Sequence, residues 1–215
     1  MKAKPIFVGV AGGSASGKTS VCEVVFKKIG VKECTLISLD NFYKECTPEQ
    51  MKNIGKYNFD HPDAFDWDLI QETMEKLMKG LDVEIPSYNY QTCLRDQPPI
   101  AVKCTELILF EGIFALYERR LREMMDLKIF VDTDADIRLL RRIRRDTVER
   151  GREIDGVLKS YNRFVRNAYN EFIKPNMKFS DLIVPHGAQN QVAIQFISDN
   201  LTNKLMERGL MNGSR

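Results

Sequence analysis

This chain contains the octapeptide Gly12-Gly13-Ser14-Ala15-Ser16-Gly17-Lys18-Thr19, which matches G-x-x-x-x-G-K-[ST], the pattern of a phosphate-binding loop. An apolar run at 6–10 precedes it and a helix-forming segment at 19–29 follows it. In such a loop the backbone N–H groups curl around phosphate oxygens, and the helix N-terminus adds about half a positive charge. We expect Lys18 to reach the β- and γ-phosphates of ATP and Thr19 to ligate Mg²⁺. The alternative is a glycine turn with a purely structural role.

Segments with strand and helix patterns alternate around this loop. Short apolar runs predict strands at 6–10, 34–39, 107–110, 127–131 and 182–184. Helical spacing predicts helices at 19–29, 66–79, 134–150, 156–173 and 192–206, and Asp66 is expected to cap the second of these. The segment 82–103, rich in proline and tyrosine, predicts a small β-hairpin, and 211–215 predicts a frayed tail. The fold class is therefore α/β, with a five-stranded parallel sheet flanked by helices.

Length and composition limit the possible classes of protein. The 215 residues predict a single domain over 1–215, and a net charge of +2 gives no field that favours nucleic acid or a membrane. Five irregularly spaced cysteines predict reduced thiols. The sequence contains neither a signal peptide nor an apolar stretch of 18 residues, so we expect a cytoplasmic protein.

Two acidic residues directly follow predicted strands. In open α/β sheets, ligands bind outside the carboxyl ends of the strands. Asp40 leads into an aromatic loop with Phe42 and Tyr43, and this position suits a carboxylate beside the hydroxyl that accepts a phosphoryl group. Glu111 suits a carboxylate that holds Mg²⁺ through water. Alternatively, either residue only caps or turns the chain.

The segment 138–152 is rich in arginine, with only Asp146 and Glu149 in opposition. Three interpretations compete: a solvated helix face, a nucleic-acid surface, and a mobile lid that closes on ATP phosphates. The balanced charge argues against nucleic acid, and the phosphate loop favours a lid over 138–165 with Gly151 as a hinge. The arginines are Arg138, Arg141, Arg142, Arg144, Arg145, Arg150 and Arg152.

Aromatic and acidic residues are dense at 57–66, in the order Tyr-Asn-Phe-Asp-His-Pro-Asp-Ala-Phe-Asp. This density suits a polyol or a ring-bearing ligand. We interpret His61 as a structural hydrogen-bonding residue, because a lone histidine beside proline is more often structural than catalytic.

Taken together, these motifs resemble the uridine–cytidine kinase family. The resemblance runs in order from about 6 to 190, and the block at 58–66 is not generic to proteins with a phosphate loop. The matching stretches are residues 12–19, 40–43, 58–66, 109–113, 130–136, 141–142, 145–146 and 149–152.

The resemblance implies a P-loop NTPase fold and transfer of phosphate from ATP, with Mg²⁺, to the 5′-hydroxyl of a nucleoside. Asp40 would be the general base, and Asp60 and Arg142 would hold the ribose hydroxyls. The nucleoside pocket would include the hairpin at 82–103, and the assembly would be a homotetramer. The remaining pocket residues would be Tyr43, Phe59, Tyr88, Tyr90, Ile113 and Arg152, while the lid residues on ATP would be Arg145 and Arg150.

The sequence departs from the family pattern mainly where the base would be read. Cys93 stands in place of the family's base-reading histidine, and Ser160 in place of a glutamine. Arg166-Asn167 replaces a Lys-Pro pair, and Gln189 replaces an acidic residue near the adenine. The residues for phosphoryl transfer are intact, so the departures concern the choice between uridine and cytidine.

Three functions stay open at the level of sequence. The first is a pyrimidine ribonucleoside kinase in pyrimidine salvage. The second is a kinase of the same fold that acts on another small hydroxyl compound, such as a different nucleoside, pantothenate or a sugar phosphate. The third is a non-catalytic nucleotide-binding regulator, against which the intact Lys18, Thr19, Asp40 and Glu111 argue.

Overall fold

The computed structural model describes residues 4–30 and 34–210, and its centre is a five-stranded parallel sheet. The strand order is β2-β5-β1-β6-β7. The predicted α/β class with five parallel strands is confirmed. The strands are β1 (Ile6–Gly12), β2 (Thr35–Ser38), β5 (Leu107–Glu111), β6 (Leu127–Asp132) and β7 (Leu182–Pro185).

The sheet is covered on both faces, which explains the short apolar runs of its strands. All seven residues of β1 are buried, and this strand pairs with β5 on one side and β6 on the other. Its side chains alternate between two cores. Phe7 packs in one core, which includes Met74, while Val8 packs in the other, which includes Val21. A strand buried on both faces cannot show the apolar–polar alternation of a surface strand.

The predicted helices are present with ends shifted by a few residues. Asp66 accepts a hydrogen bond from the backbone N–H of Leu69 at 3.3 Å and caps the helix Trp67–Met78 as predicted. The helical segment predicted at 156–173 begins at Ile154, and its turns widen to π-helix at Tyr161–Val165 and Tyr169–Ile173. The helices are α1 (Lys18–Ile29), α2 (Pro48–Lys52), α3 (Trp67–Met78), α4 (Arg119–Met124), α5 (Ala135–Val148), α6 (Ile154–Ser160), α7 (Arg166–Ala168) and α8 (Gln191–Glu207).

The short helices α2 and α4 were not predicted. The first has a readable signal, because Thr47 and Gln50 form a reciprocal capping box at its start. A five-residue helix is nevertheless too short to show hydrophobic periodicity.

The predicted hairpin at 82–103 is confirmed as β3 (Val83–Asn89) and β4 (Leu94–Val102). It forms a separate two-stranded sheet. The Asn41 side-chain amide donates to the Pro86 carbonyl oxygen at 3.0 Å, so the hairpin is tied to the turn that carries Asp40.

No helix within residues 4–30 and 34–210 has both the length and the apolar character needed to cross a membrane. The frayed tail predicted at 211–215 lies outside the described residues.

Candidate active site

A cavity of about 370 Å³ opens at the carboxyl end of the sheet. It lies beyond the ends of β1, β2 and β5, between the β3–β4 hairpin and the arginines that follow β6. Most of the residues proposed from sequence line it: Ser14, Ala15, Lys18, Thr19, Asp40, Tyr43, Phe59, Asp60, Tyr88, Tyr90, Cys93, Glu111, Ile113, Arg142, Arg145, Arg150 and Arg152.

The phosphate loop has the backbone conformation that its glycines permit. Gly17 adopts a φ of 95°, and a Cβ atom at Gly12 would lie 2.4 Å from the carbonyl oxygen of Val131. Larger residues at these positions would therefore be strained or would clash. Gly12, Gly13, Ser16 and Gly17 shape the loop but do not line the cavity.

Lys18 is buried at the floor of the cavity. Its Nζ donates to the Gly13 carbonyl oxygen at 3.2 Å. Burial lowers the pKa of Lys18, and the negative charges of Glu111 and Asp40 oppose that shift. Because the site around Lys18 is desolvated, a phosphate group placed there would interact strongly with its ammonium group.

Glu111 receives two hydroxyl hydrogen bonds on one oxygen. Thr19 Oγ1 donates to Glu111 Oε1 at 3.2 Å, and Ser38 Oγ donates to the same atom at 3.1 Å. Burial raises the pKa of Glu111, whereas Lys18 lowers it. Ser38 was not among the predicted site residues, because a serine within a strand carries no motif.

This cluster of oxygen atoms fits Mg²⁺. Hydroxyl and carboxylate oxygens are hard ligands, and Mg²⁺ commonly keeps several waters and binds through one or two protein groups plus substrate phosphates. Within the described residues no group of three or more His, Cys, Asp or Glu side chains could hold a metal ion. A site built from Thr19 and Glu111 would therefore rely on the phosphates of a nucleotide for the rest of its ligands.

Asp40 lies in the turn that follows β2. Its backbone N–H donates to Ser38 Oγ at 3.3 Å, and its Oδ2 accepts a hydrogen bond from the Tyr90 hydroxyl at 2.8 Å. Tyr90 is on the hairpin, 50 residues further along the chain. Above the Tyr90 ring, Cζ of Arg150 lies 3.9 Å from the ring centroid.

Asp60 and Arg142 lie next to each other in the lining of the cavity. Arg142 Nη1 lies 3.6 Å from Asp60 Oδ1 and donates to Ser14 Oγ at 2.9 Å. Burial raises the pKa of Asp60, and the Arg142 charge opposes that rise. The Asp60–Arg142 separation is longer than a hydrogen bond, so both groups keep hydrogen-bonding capacity for a ligand.

A fully buried carboxylate, Asp146, organises the arginines. Its oxygens lie 2.9 Å from Arg145 Nη2, 3.4 Å from Arg152 Nη1, 3.5 Å from Arg142 Nε and 3.8 Å from Arg150 Nη1. Burial alone would raise the pKa of Asp146, but the surrounding arginines hold it below its usual value. Sequence alone showed only an acidic residue within a basic run, so this central role was missed.

The other arginines of the segment have different roles. Arg138 is buried and stacks on Tyr169, with its Cζ 3.9 Å from the ring centroid. Arg141 donates to the Ser16 carbonyl oxygen at 3.5 Å, and Arg144 is exposed. The segment therefore combines cavity-lining, structural and solvated arginines.

Aromatic rings form one wall of the cavity. Tyr43 and Phe59 pack edge to face with centroids 5.8 Å apart, and Tyr43 and Tyr88 lie 5.0 Å apart. Tyr57, which was not singled out within the aromatic and acidic segment 57–66, also lines the cavity. Such a wall suits a flat, ring-bearing ligand.

Of the positions that depart from the family pattern, Cys93 and Ser160 line the cavity, whereas Arg166, Asn167 and Gln189 do not. Arg95, two residues after Cys93, does not line the cavity, and its guanidinium donates to the Tyr43 carbonyl oxygen and to Asp66. His61 accepts from the backbone N–H of Asp63 at 3.2 Å, as expected for a structural histidine.

Comparison with known proteins gives matches over most of the chain. The model of the phosphoribulokinase/uridine kinase family matches residues 7–193. The protein named uridine-cytidine kinase B of Dictyostelium discoideum is 46% identical over 204 residues, which cover 95% of this chain and 84% of that protein. The uridine-cytidine kinase-like 1 of Mus musculus is 46% identical over 205 residues, but the match spans only 37% of its length.

Solved structures share the same fold at low identity. The phosphoribulokinase of Rhodobacter spheroides superposes with a TM-score of 0.63 at 17% identity, over 86% of this chain and 71% of that chain.

Proposed function

The chain belongs to the phosphoribulokinase/uridine kinase family, and from that premise we propose that it transfers the γ-phosphate of ATP to the 5′-hydroxyl of a pyrimidine ribonucleoside. The acceptor is uridine, cytidine or both, and the reaction requires Mg²⁺. The observation that carries this proposal is that one cavity brings together the groups the reaction needs. Lys18 and Glu111, Asp40, the Asp60–Arg142 pair and the aromatic rings all line it.

The reaction needs a group that accepts the proton of the hydroxyl. In the proposed role, Asp40 Oδ1 takes this proton while the 5′-oxygen bonds to the γ-phosphorus, and the bond from that phosphorus to ADP breaks. Lys18, Arg145 and Arg150 line the same space and would neutralise charge on the phosphates. Bound at Thr19 and Glu111, Mg²⁺ would supply further positive charge across the β- and γ-phosphates.

A ribose diol explains the pairing of Asp60 with Arg142. Among the described residues, none donates a hydrogen bond to the Asp60 carboxylate, so its lone pairs are available to two hydroxyl groups. Arg142 would donate to the same hydroxyls. This reasoning favours a ribonucleoside over an acceptor without adjacent hydroxyls.

A panel of acceptors tests the proposal. Purified protein with ATP and Mg²⁺ is assayed for ADP formation with uridine, cytidine, adenosine, 2′-deoxyuridine, pantothenate and a sugar phosphate. We expect turnover with at least one of uridine and cytidine. With the deoxynucleoside, the transition-state stabilisation obtained from kcat/KM should be lower by about 1–3 kcal/mol. Turnover with a non-nucleoside alone would contradict the proposal, and so would the absence of any turnover.

Replacement of Thr19 by alanine should raise the Mg²⁺ concentration needed for half-maximal activity by about tenfold, because a direct oxygen ligand is removed. The measurement is initial rate against free Mg²⁺ at saturating ATP. Thr19→Ser is the matched control, since it keeps the hydroxyl and should retain the wild-type dependence. An unchanged Mg²⁺ dependence in Thr19→Ala would refute the assignment.

Replacement of Cys93 by histidine should raise kcat/KM for uridine or cytidine by about tenfold, because imidazole both donates and accepts where a thiol does so weakly. The backbone favours the test: Cys93 has a φ of 54°, a conformation in which histidine is enriched. Cys93→Ala removes the thiol without adding a donor and should show no gain. If the wild type uses both nucleosides efficiently and Cys93→His changes neither, another residue reads the base.

The family resemblance also supports a homotetramer that acts in cytoplasmic pyrimidine salvage. Light scattering coupled to size-exclusion chromatography tests the assembly directly, and a monomer at micromolar concentration would contradict this part of the proposal.

A further inference from the structure

The Asp40 carboxylate is held from the hairpin side of the cavity. Among the described residues, its only hydrogen-bond donor is the Tyr90 hydroxyl, at 2.8 Å from Oδ2. The turn fixes the backbone of Asp40. Its N–H donates to Ser38 Oγ, and the nearby side chains of Leu39 and Phe42 are fully buried. The turn thus fixes the position of the Asp40 backbone, and the hydrogen bond from Tyr90 fixes the rotation of its carboxylate.

Tyr90 is itself well anchored. The preceding residue, Asn89, accepts hydrogen bonds on Oδ1 from the backbone N–H groups of Gln91 and Thr92, at 2.9 and 3.1 Å, which stiffens the hairpin turn. The Tyr88 ring meets the Tyr90 ring edge to face at 5.7 Å, and Arg150 covers its face. A side chain packed on two sides can impose an orientation on its hydrogen-bond partner.

The direction of the hydrogen bond follows from the protonation of the two groups. Burial, followed by the negative charge of Asp40 and the hydrogen bond to it, raises the pKa of Tyr90. The phenol therefore stays protonated and donates to the carboxylate. With Oδ2 occupied in this way, Oδ1 is the oxygen left to accept a proton.

We propose that Tyr90 is a positioning residue for the phosphoryl transfer, acting through its hydroxyl on Asp40. This inference rests on the proposed function. In the reaction the proton of the acceptor hydroxyl moves to Asp40 Oδ1, the acceptor oxygen forms its bond to the γ-phosphorus, and the electron pair of the broken bond leaves with ADP. Tyr90 gains and loses no proton in this step, and it holds the Asp40 carboxylate in one rotation, with Oδ1 left to accept the proton.

Tyr90→Phe tests the inference, because it removes one oxygen and keeps the ring beneath Arg150. With the nucleoside that the wild type uses, we expect kcat to fall by about tenfold. The KM values for ATP and nucleoside should change by less than about twofold. Tyr117→Phe is the control, since Tyr117 lies outside the cavity lining and its hydroxyl makes no hydrogen bond with the described residues.

The outcomes separate the inference from the proposed function. A wild-type protein that phosphorylates no nucleoside overturns both. A Tyr90→Phe variant with wild-type kcat overturns the inference alone, and so does a change confined to the nucleoside KM, because the hydroxyl would then be a substrate contact. Tyr90→Leu removes the Arg150 contact as well, and under our inference it shows the same fall in kcat together with a higher KM for ATP.

Discussion

Asp40→Asn should lower kcat by on the order of 10²–10⁴-fold, because the amide cannot accept the proton of the attacking hydroxyl. The substitution preserves shape, and the amide oxygen can still accept the hydrogen bond from Tyr90. Binding of ATP and of the nucleoside should therefore stay close to wild type. Steady-state kinetics gives kcat, and calorimetric titration of each ligand gives the two affinities.

A matched control separates this effect from a general loss of charge. Asp68 is exposed on α3 and lies outside the cavity lining, so Asp68→Asn should leave both kcat and binding unchanged. If Asp40→Asn retains most of its turnover, Asp40 is not the general base.

Asp146→Asn should lower the free energy of unfolding by about 3 kcal/mol at neutral pH, because removal of one partner of a buried ion pair leaves the other uncompensated. Arg142 would carry most of this cost, since its side chain is only 8% exposed, whereas that of Arg152 is 36% exposed and can be hydrated. The same variant should lose turnover, because Arg142, Arg145 and Arg150 would no longer be held in one arrangement. Urea denaturation measures the stability.

The pH dependence provides a second measurement on Asp146. Its folded-state pKa is lowered by the arginines, so its stabilising contribution is present above the unfolded-state value of about 3.9 and is lost as pH falls through the folded-state value. The stability difference between wild type and Asp146→Asn should thus be largest near neutrality and shrink in acid. Glu123→Gln is the control, because it breaks an exposed pair with Arg119 and should leave the free energy of unfolding close to the wild-type value at any pH. A difference that does not vary with pH would contradict the ion-pair explanation.

The candidate site combines residues that sequence could and could not identify. Lys18 and Thr19 stand in a motif whose spacing is fixed by the geometry of a loop around phosphate. Asp40 and Glu111 follow buried strands, and parallel strands bring their carboxyl ends to one edge of the sheet. These site residues could be predicted because a local motif or the end of an apolar run marks each of them.

The contacts among these residues could not be predicted from the sequence. Ser38 bonds to Glu111 across 73 residues, and Tyr90 bonds to Asp40 across 50. Neither contact leaves a periodic pattern, since one residue ends a strand and the other sits in a hairpin turn. Asp146 appeared only as one acid among arginines, because a count of charges does not reveal which of them are buried together.

By itself, the sequence determined the α/β class, the phosphate loop, the helix cap at Asp66 and the hairpin at 82–103, because each depends on residues close together along the chain. Tertiary structure decided which arginines face the cavity, that Asp146 joins four of them, and that Tyr90 reaches Asp40. Those features depend on the packing of the hairpin and of α5 against the end of the sheet. The free energy of such contacts comes from burial and from charges that lie far apart in the sequence but close together in the fold. Periodicity and motif spacing therefore do not predict these contacts.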